Sequence, residues 1–323
     1  MIKLSIELRK LPDNEAIRNG TLPKKNRKDK YVGTMREFII STETNCDLSA
    51  EFIKTNNICV IPHYYTVDEE VYGDGKELTN KEFYDKMRDK HKVGTMASNP
   101  AVIEEMFTAI AKEGKDIIHI SFSSALSGGC GNVQMVSNQI MEAYPEMKIV
   151  VIDTLAASLG EGIMIKKALE LKAEGKTIDE TVSIIQDLCP HLNTLFTVDD
   201  LDYLYRGGRL SKTTAIVGSL VNIKPILKIN EEGKLVAHSK VRGRNKSIQA
   251  LVSMMEEQLG SYKDKQLEIG IMHGDCEDDA LTLKKLVEEK FGYTNFMIEP
   301  IGPSIGAHSG PGTLGIVFLG DHR

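Results

Sequence analysis

From Phe38 onward, short apolar β-rich runs alternate with longer amphipathic stretches, the pattern of a parallel sheet joined by crossover helices. The runs predict strands at 38–41, 58–62, 116–121 and 148–153. Asp47 is placed to cap a helix ending near residue 54, and Thr79-Asn80-Lys81-Glu82 is a capping box that opens another. Asn99-Pro100 supplies an N-cap with proline at the first helical position and Gly114 as the stop. Further helices are predicted over 132–144 and 156–173, and Thr177-Ile178-Asp179-Glu180 is a second capping box. The texture then changes. Strands at 224–230 and 235–240 are joined by a Glu-Glu-Gly-Lys turn and read as a hairpin. Strands at 194–198, 267–272 and 295–299 alternate with helices at 245–259 and 278–291, and an apolar run at 314–319 comes last. The expected fold class is α/β with two domains. Residues 36–160 form a parallel-sheet α/β/α domain, and residues 161–323 an α+β domain with a mixed or antiparallel sheet. The last strand is free to return to the interface between them.

Residues 1–35 do not share this pattern. A short alternating run is followed by five basic residues between Lys24 and Lys30, so Met35 reads as a start and the segment as an upstream extension. A basic arm for a membrane or an acidic partner is the functional alternative. A composition of 41% hydrophobic and 27% charged residues is that of a globular chain, and a net charge of −6 argues against a dedicated nucleic-acid binder. No stretch approaches the roughly 20 apolar residues that span a bilayer, and no signal peptide is read at the N-terminus. Five scattered cysteines without a CxxC pair suit reduced thiols, so a cytoplasmic location is expected.

Three segments combine hydroxyl and glycine residues at strand ends or helix starts, where ligands of open α/β sheets gather. Gly94-Thr95-Met96-Ala97-Ser98-Asn99-Pro100 precedes a helix, whose free N–H groups favour an anion; an ordinary N-cap turn is the alternative. Ser121-Phe122-Ser123-Ser124-Ala125-Leu126-Ser127-Gly128-Gly129 leaves a strand and offers hydroxyls and glycine amides. It lacks the Gly-Lys-Ser/Thr ending of a phosphate-binding loop and carries no lysine or arginine, so a single carboxylate fits it better than a polyphosphate. Gly306-Ala307-His308-Ser309-Gly310-Pro311-Gly312 allows close backbone approach and presents His308. The other histidines show no ligand spacing, and neither a metal site nor a cofactor is expected.

Seven motifs occur in order: TETNCDL at 42–48, SNP at 98–100, SSALSG at 123–128, DTLAASLGEG at 153–162, VDDLDYLYRGGRLSK at 198–212, NIKPIL at 222–227 and GAHSGPGTLGIVF at 306–318. Together they resemble the DegV family of bacterial fatty-acid-binding proteins, the carrier subunit of fatty acid kinase. The resemblance implies a long-chain fatty acid held in a buried tunnel with its carboxylate near the domain interface. It places Ser98, Ser124 and His308 at that carboxylate, with Ser123 close behind. The chain departs from the family at Ala97, where threonine is frequent; Thr95 is the nearest substitute hydroxyl. Asn99 replaces a common glutamine and Glu43 a usual aspartate, and Gly129-Cys130-Gly131 stands where bulkier residues are frequent. The resemblance further implies a partner kinase that phosphorylates the bound acid, and passage of the acyl-phosphate, by transient membrane or acyltransferase contact, to phospholipid synthesis.

Burying a chain of ~14–16 methylenes contributes on the order of 11–13 kcal/mol gross, which chain ordering and carboxylate desolvation offset in large part. Several donors must therefore meet the carboxylate. Arg206, Arg209 and Lys212 flank Gly207-Gly208 and are the candidate docking residues for the kinase; pairing with Asp199, Asp200 and Asp202 is the alternative. The rival function is a small-metabolite enzyme using the hydroxyl loops with His308 as nucleophile or acid/base, although no triad or carboxylate pair accompanies that histidine.

Overall fold

The residues FIISTE form strand β1 (Phe38–Glu43), which has a parallel strand on each edge and is buried along almost its whole length. In a computed structural model, residues 36–210 and 222–323 are described. The expectations for residues 1–35 and for Lys212 lie outside the described residues. A 3₁₀ turn at Thr44–Cys46 follows β1, and Ser49, rather than Asp47, caps helix α1 (Ala50–Thr55) by accepting from the Phe52 N–H. Asp47 instead takes the left-handed conformation and is buried, accepting from the Gly302 N–H at 2.9 Å and from the Ser158 hydroxyl. That tie across more than a hundred residues overrides the local capping pattern, and burial pushes the Asp47 carboxyl up to about 7.

Strand β2 (Cys59–Ile61) leads into three strands absent from the expected list: β3 (Tyr64–Val67), β4 (Glu70–Tyr72) and, after α2 (Asn80–Arg88), β5 (Val93–Met96). They pair antiparallel in the order β4-β3-β5. Half of the expected 94–100 loop is therefore strand. Helix α3 (Pro100–Lys112), β6 (Asp116–Ser121), α4 (Gly129–Ala143) and β7 (Ile149–Asp153) complete the parallel sheet, ordered β2-β1-β6-β7. Both expected capping boxes, Thr79–Glu82 and Thr177–Glu180, form.

Helix α5 (Leu159–Ala173) then packs on β1 and β6 of this sheet and on strands of the next, so residues 159–165 are buried all round. The expected boundary between residues 160 and 161 lies inside α5. Helix α6 (Ile178–Leu188), β8 (Leu192–Thr197), the short α7 (Asp202–Arg206), β9 (Ile223–Ile229) and β10 (Leu235–Arg242) follow. The chain ends with α8 (Arg244–Leu259), β11 (Ile269–His273), α9 (Glu277–Phe291), β12 (Phe296–Pro300), α10 (Pro303–Ser309) and β13 (Leu314–Leu319). The second sheet runs β10-β9-β8-β13-β11-β12 and is antiparallel except for β11–β12. The fold is thus the expected α/β architecture, a parallel sheet first and a mixed sheet second. One apolar core joins them: Ile118 and Ile120 from β6, Leu159 and Ile163 from α5, and Phe196 and Val317 from the mixed sheet belong to the same buried cluster.

Candidate functional site

A cavity of about 920 Å³ opens beside this core, inside the size range of ligand pockets. Phe122, Leu126 and Ala157 line it from the parallel sheet, and Phe196, Ile229 and Met272 from the mixed sheet. Thr95 and Ala97 enter from β5 and the residues after it, and Ile305 and His308 from α10. The lining surface is more apolar than polar, and several buried polar atoms in it have no hydrogen-bond partner: Asn45 Oδ1, His63 Nε2, His308 Nδ1 and Ser309 Oγ. Leaving such atoms unpaired costs about 1–3 kcal/mol each, so their concentration around one cavity marks it as a place built for a polar group from outside.

His308 does not sit in a loop, as the glycine-rich sequence suggests, but in the last turn of α10. Its Nε2 and Thr95 Oγ1 are hydrogen-bonded at 2.8 Å. Its Nδ1 packs over Gly207, where a Cβ would come within 2.2 Å, so the first glycine of YRGGR is explained by contact with the late histidine and the second, Gly208, by its φ of +71°. Burial, then the nearby Arg209 charge, lowers the His308 pKa to about 4, and the ring is neutral around pH 7.

Ser98 does not itself line the cavity but lies just behind its wall, almost fully buried; its hydroxyl has no partner, while its carbonyl accepts from Asn132 Nδ2 at 3.0 Å. Ala97 lines the cavity without a polar side chain. The paired serines are placed differently from the expectation. Ser123 is buried and donates its hydroxyl to the Gly233 carbonyl at 2.9 Å, pinning the turn between β9 and β10. Ser124 is exposed, with its N–H donated to Asp153. Neither lines the cavity; of the serines in that loop only Ser127 does. The reason is geometric: the chain turns sharply after β6, so successive hydroxyls point to different neighbours.

Arg206 and Arg209 both line the cavity, rather than standing together on an exposed turn. Arg209 is half-buried and its Nε donates to the Leu126 carbonyl, whereas Arg206 lies over the Tyr203 ring. Asp199 pairs with Lys224 at 2.6 Å and Arg244 at 3.6 Å, so it is not the counterion of the Arg206–Arg209 turn.

Behind the cavity wall lies a buried acidic cluster that the sequence gives no spacing signal for. Glu43 accepts from Ser121 Oγ at 3.1 Å and from the Phe122 N–H at 3.0 Å, and His119 Nε2 stands 3.7 Å away. Burial drives the Glu43 carboxyl up, but the neighbouring His119 and His63 imidazoles and the Phe122 N–H outweigh it and hold the group below its usual range. Glu161, buried against it, accepts from the Thr42 hydroxyl and is held well above the usual range by burial and by Glu43's charge. The two shifts run apart, so the pair favours one shared proton, held on the Glu161 side. Among the described residues, no group of His, Cys, Asp or Glu is arranged to hold a metal ion, and no helix is long and apolar enough to cross a membrane.

Fold and cavity define a class: an α/β protein with a parallel sheet, a mixed sheet and a small antiparallel one, whose largely apolar chamber holds unpaired polar atoms in its wall. The chain belongs to the DegV family, whose model, described as "Uncharacterised protein, DegV family", matches residues 37–321. It is 38% identical to a DegV domain-containing protein of Clostridium perfringens, over 90% of this chain and 99% of that one. A DegV domain-containing protein of Lactococcus lactis is 34% identical over 87% of this chain and 97% of its own length. Among solved structures, a fatty acid binding DegV family protein from Streptococcus agalactiae matches with a TM-score of 0.78 and 27% identity, covering 89% of this chain and all of that one. A fatty-acid-binding DegV family protein from Thermus thermophilus shares the fold with a TM-score of 0.79 at 24% identity, over 88% of this chain and 100% of the other.

Proposed function

We propose that this protein binds one long-chain fatty acid, with the acyl chain in the apolar part of the cavity and the carboxylate at its polar residues. The observation that carries the reading is the chamber itself: about 920 Å³, with a wall surface more apolar than polar, yet retaining buried polar atoms without partners. Fatty-acid binding by the Streptococcus agalactiae relative supports it. Ser98, Thr95 and His308 are the head-group candidates, since Ser98 Oγ and His308 Nδ1 lack partners and Thr95 orients the His308 ring. Burial of the tail drives binding, and hydroxyl and imidazole donors offset desolvation of the head.

In the fuller form of this reading the protein is a carrier rather than an enzyme. It presents the bound carboxylate to a partner fatty acid kinase and carries the acyl-phosphate toward phospholipid synthesis. Arg206, exposed beside the cavity, is the residue best placed to meet such a partner, and Arg209 fixes the turn next to it. Denaturing extraction of the purified protein followed by lipid mass spectrometry tests the binding step: a stoichiometric fatty acid is expected. A protein that is empty and takes up no added fatty acid overturns the reading. Incubation with kinase and ATP tests the carrier role, with loss of phosphorylation expected in Arg206→Ala.

A further inference from the structure

We propose that His63 is a second head-group donor, resting on the fatty-acid reading above: with Ser98 it holds the ligand's carboxylate over Gly129, and it takes up a proton as the ligand binds. His63 Nε2 and Ser98 Oγ are both buried and both without partners. They converge on one place, each 3.5 Å from where a Cβ on Gly129 would stand. Glu43 Oε1 lies 3.3 Å from the same point. Glycine leaves that position free of a side chain; Ser98 and Gly129 stand behind the cavity wall, next in the chain to its residues Ala97 and Gly128, and His63 reaches the wall itself.

The backbone fixes both donors. The His63 N–H donates to Thr44 Oγ1 at 3.0 Å, and the β3–β5 register, with Tyr64 opposite Met96, brings His63 beside the Ala97–Ser98 segment. Ser98 is held through its carbonyl by Asn132, and Asn99 next to it caps α3. Two long helices thus start here, α3 at Pro100 and α4 at Gly129, and their N-termini favour a negative charge. The unpaired, buried Ser98 and His63 side chains are what make this a site rather than a pair of helix ends.

The charges around His63 set the proton linkage. Glu43 at the end of β1 is the anion nearest it, and His119 on β6 is the other group acting on it. Glu161 on α5 stands behind Glu43 and stays protonated, while burial pushes the Cys130 thiol on α4 up to about 11, which keeps it neutral. Arg209 and His308 line other parts of the same cavity. Without ligand, burial holds the imidazole below its usual range and it is neutral. A carboxylate arriving over Gly129 adds a second negative charge beside Glu43, and the imidazolium then becomes the favoured form. The proton comes from solvent, so affinity falls as pH rises through the titration of liganded His63.

Calorimetric titration of the full chain with palmitate, in two buffers of different ionisation enthalpy between about pH 6 and 8.5, tests this. The wild type is expected to bind with net proton uptake that declines toward the alkaline end. His63→Leu is expected to bind about ten- to a hundredfold more weakly and with no uptake. His63→Gln, which keeps a donor of similar size, recovers part of the affinity but not the uptake, and it replaces the leucine variant if that fails to fold. Ser98→Ala weakens binding about five- to tenfold and leaves the uptake in place. If the wild type binds palmitate while the glutamine variant matches it in affinity and proton uptake, the His63 role is wrong and the fatty-acid reading stands. If the wild type binds no palmitate, both fall.

Discussion

Two segments of this protein look alike in sequence and are used in different ways. The 94–100 stretch and the 121–129 stretch both combine hydroxyl and glycine residues, and both run from a strand into a helix. In the first, Thr95 meets His308 and the Ser98 hydroxyl is left free beside the cavity. In the second, Ser121 donates to Glu43, Ser123 to Gly233, and Ser124 faces outward. The difference teaches that a hydroxyl-rich loop identifies a neighbourhood, while only the list of satisfied partners says which hydroxyl remains for a ligand. The second segment is chiefly a buttress, and what it offers the chamber is Phe122, Leu126, Ser127 and Gly128.

The contrast can be broken by substitution. The largest effect is expected at Gly233→Ala, because that residue has a φ of +75° and an added Cβ would lie 2.3 Å from Ser123 Oγ and 3.0 Å from Leu155. A stability loss of roughly 2 kcal/mol or more should appear in urea unfolding. Thr95→Val comes next. It leaves His308 Nε2 buried without its partner, at a cost of about 1–3 kcal/mol, and palmitate affinity should fall about tenfold in the same titration used for His63. Ser123→Ala should cost about 1 kcal/mol of stability and leave affinity within a factor of about two, the opposite of Thr95→Val in what it spares. An affinity loss there as large as at Thr95 would erase the distinction between the segments.

Two smaller effects sharpen it. The His308 pKa is lowered to about 4 in the folded protein from the 6.5 of a free imidazole side chain, so between those limits the unfolded chain binds more protons. Its contribution to stability is present above about pH 6.5 and is lost as pH falls toward 4. His308→Gln should flatten the stability profile across that window, and an unchanged slope would place the titration elsewhere. Ser124→Ala should change neither stability, within about 0.5 kcal/mol, nor affinity, since its side chain is exposed and outside the cavity wall.

Much of the scaffold was legible in the sequence because its signals are local. The strand at 116–121 and the terminal run at 314–319 match β6 and β13 residue for residue, and both capping boxes close as written. The Glu-Glu-Gly-Lys turn makes the expected hairpin. The three-stranded β4-β3-β5 sheet was missed, although Tyr64-Tyr65-Thr66-Val67 followed by Val71-Tyr72 carries the β-branched and aromatic signature of a short hairpin. Its strands are only three or four residues long, too short for periodicity to register.

Sequence alone determined most of the longer strands and helices, the α/β class with a parallel sheet first, the family, and the loops that approach the cavity. Tertiary structure alone decided that Asp47 ties two distant segments instead of capping a helix, that Ser123 buttresses a turn, and that His63 joins Ser98 over Gly129. The physical reason is range. Caps, turns and hydrophobic periodicity are set within a few residues, whereas a buried polar atom's partner, or its lack of one, depends on which remote backbone the fold carries to within 3 Å of it.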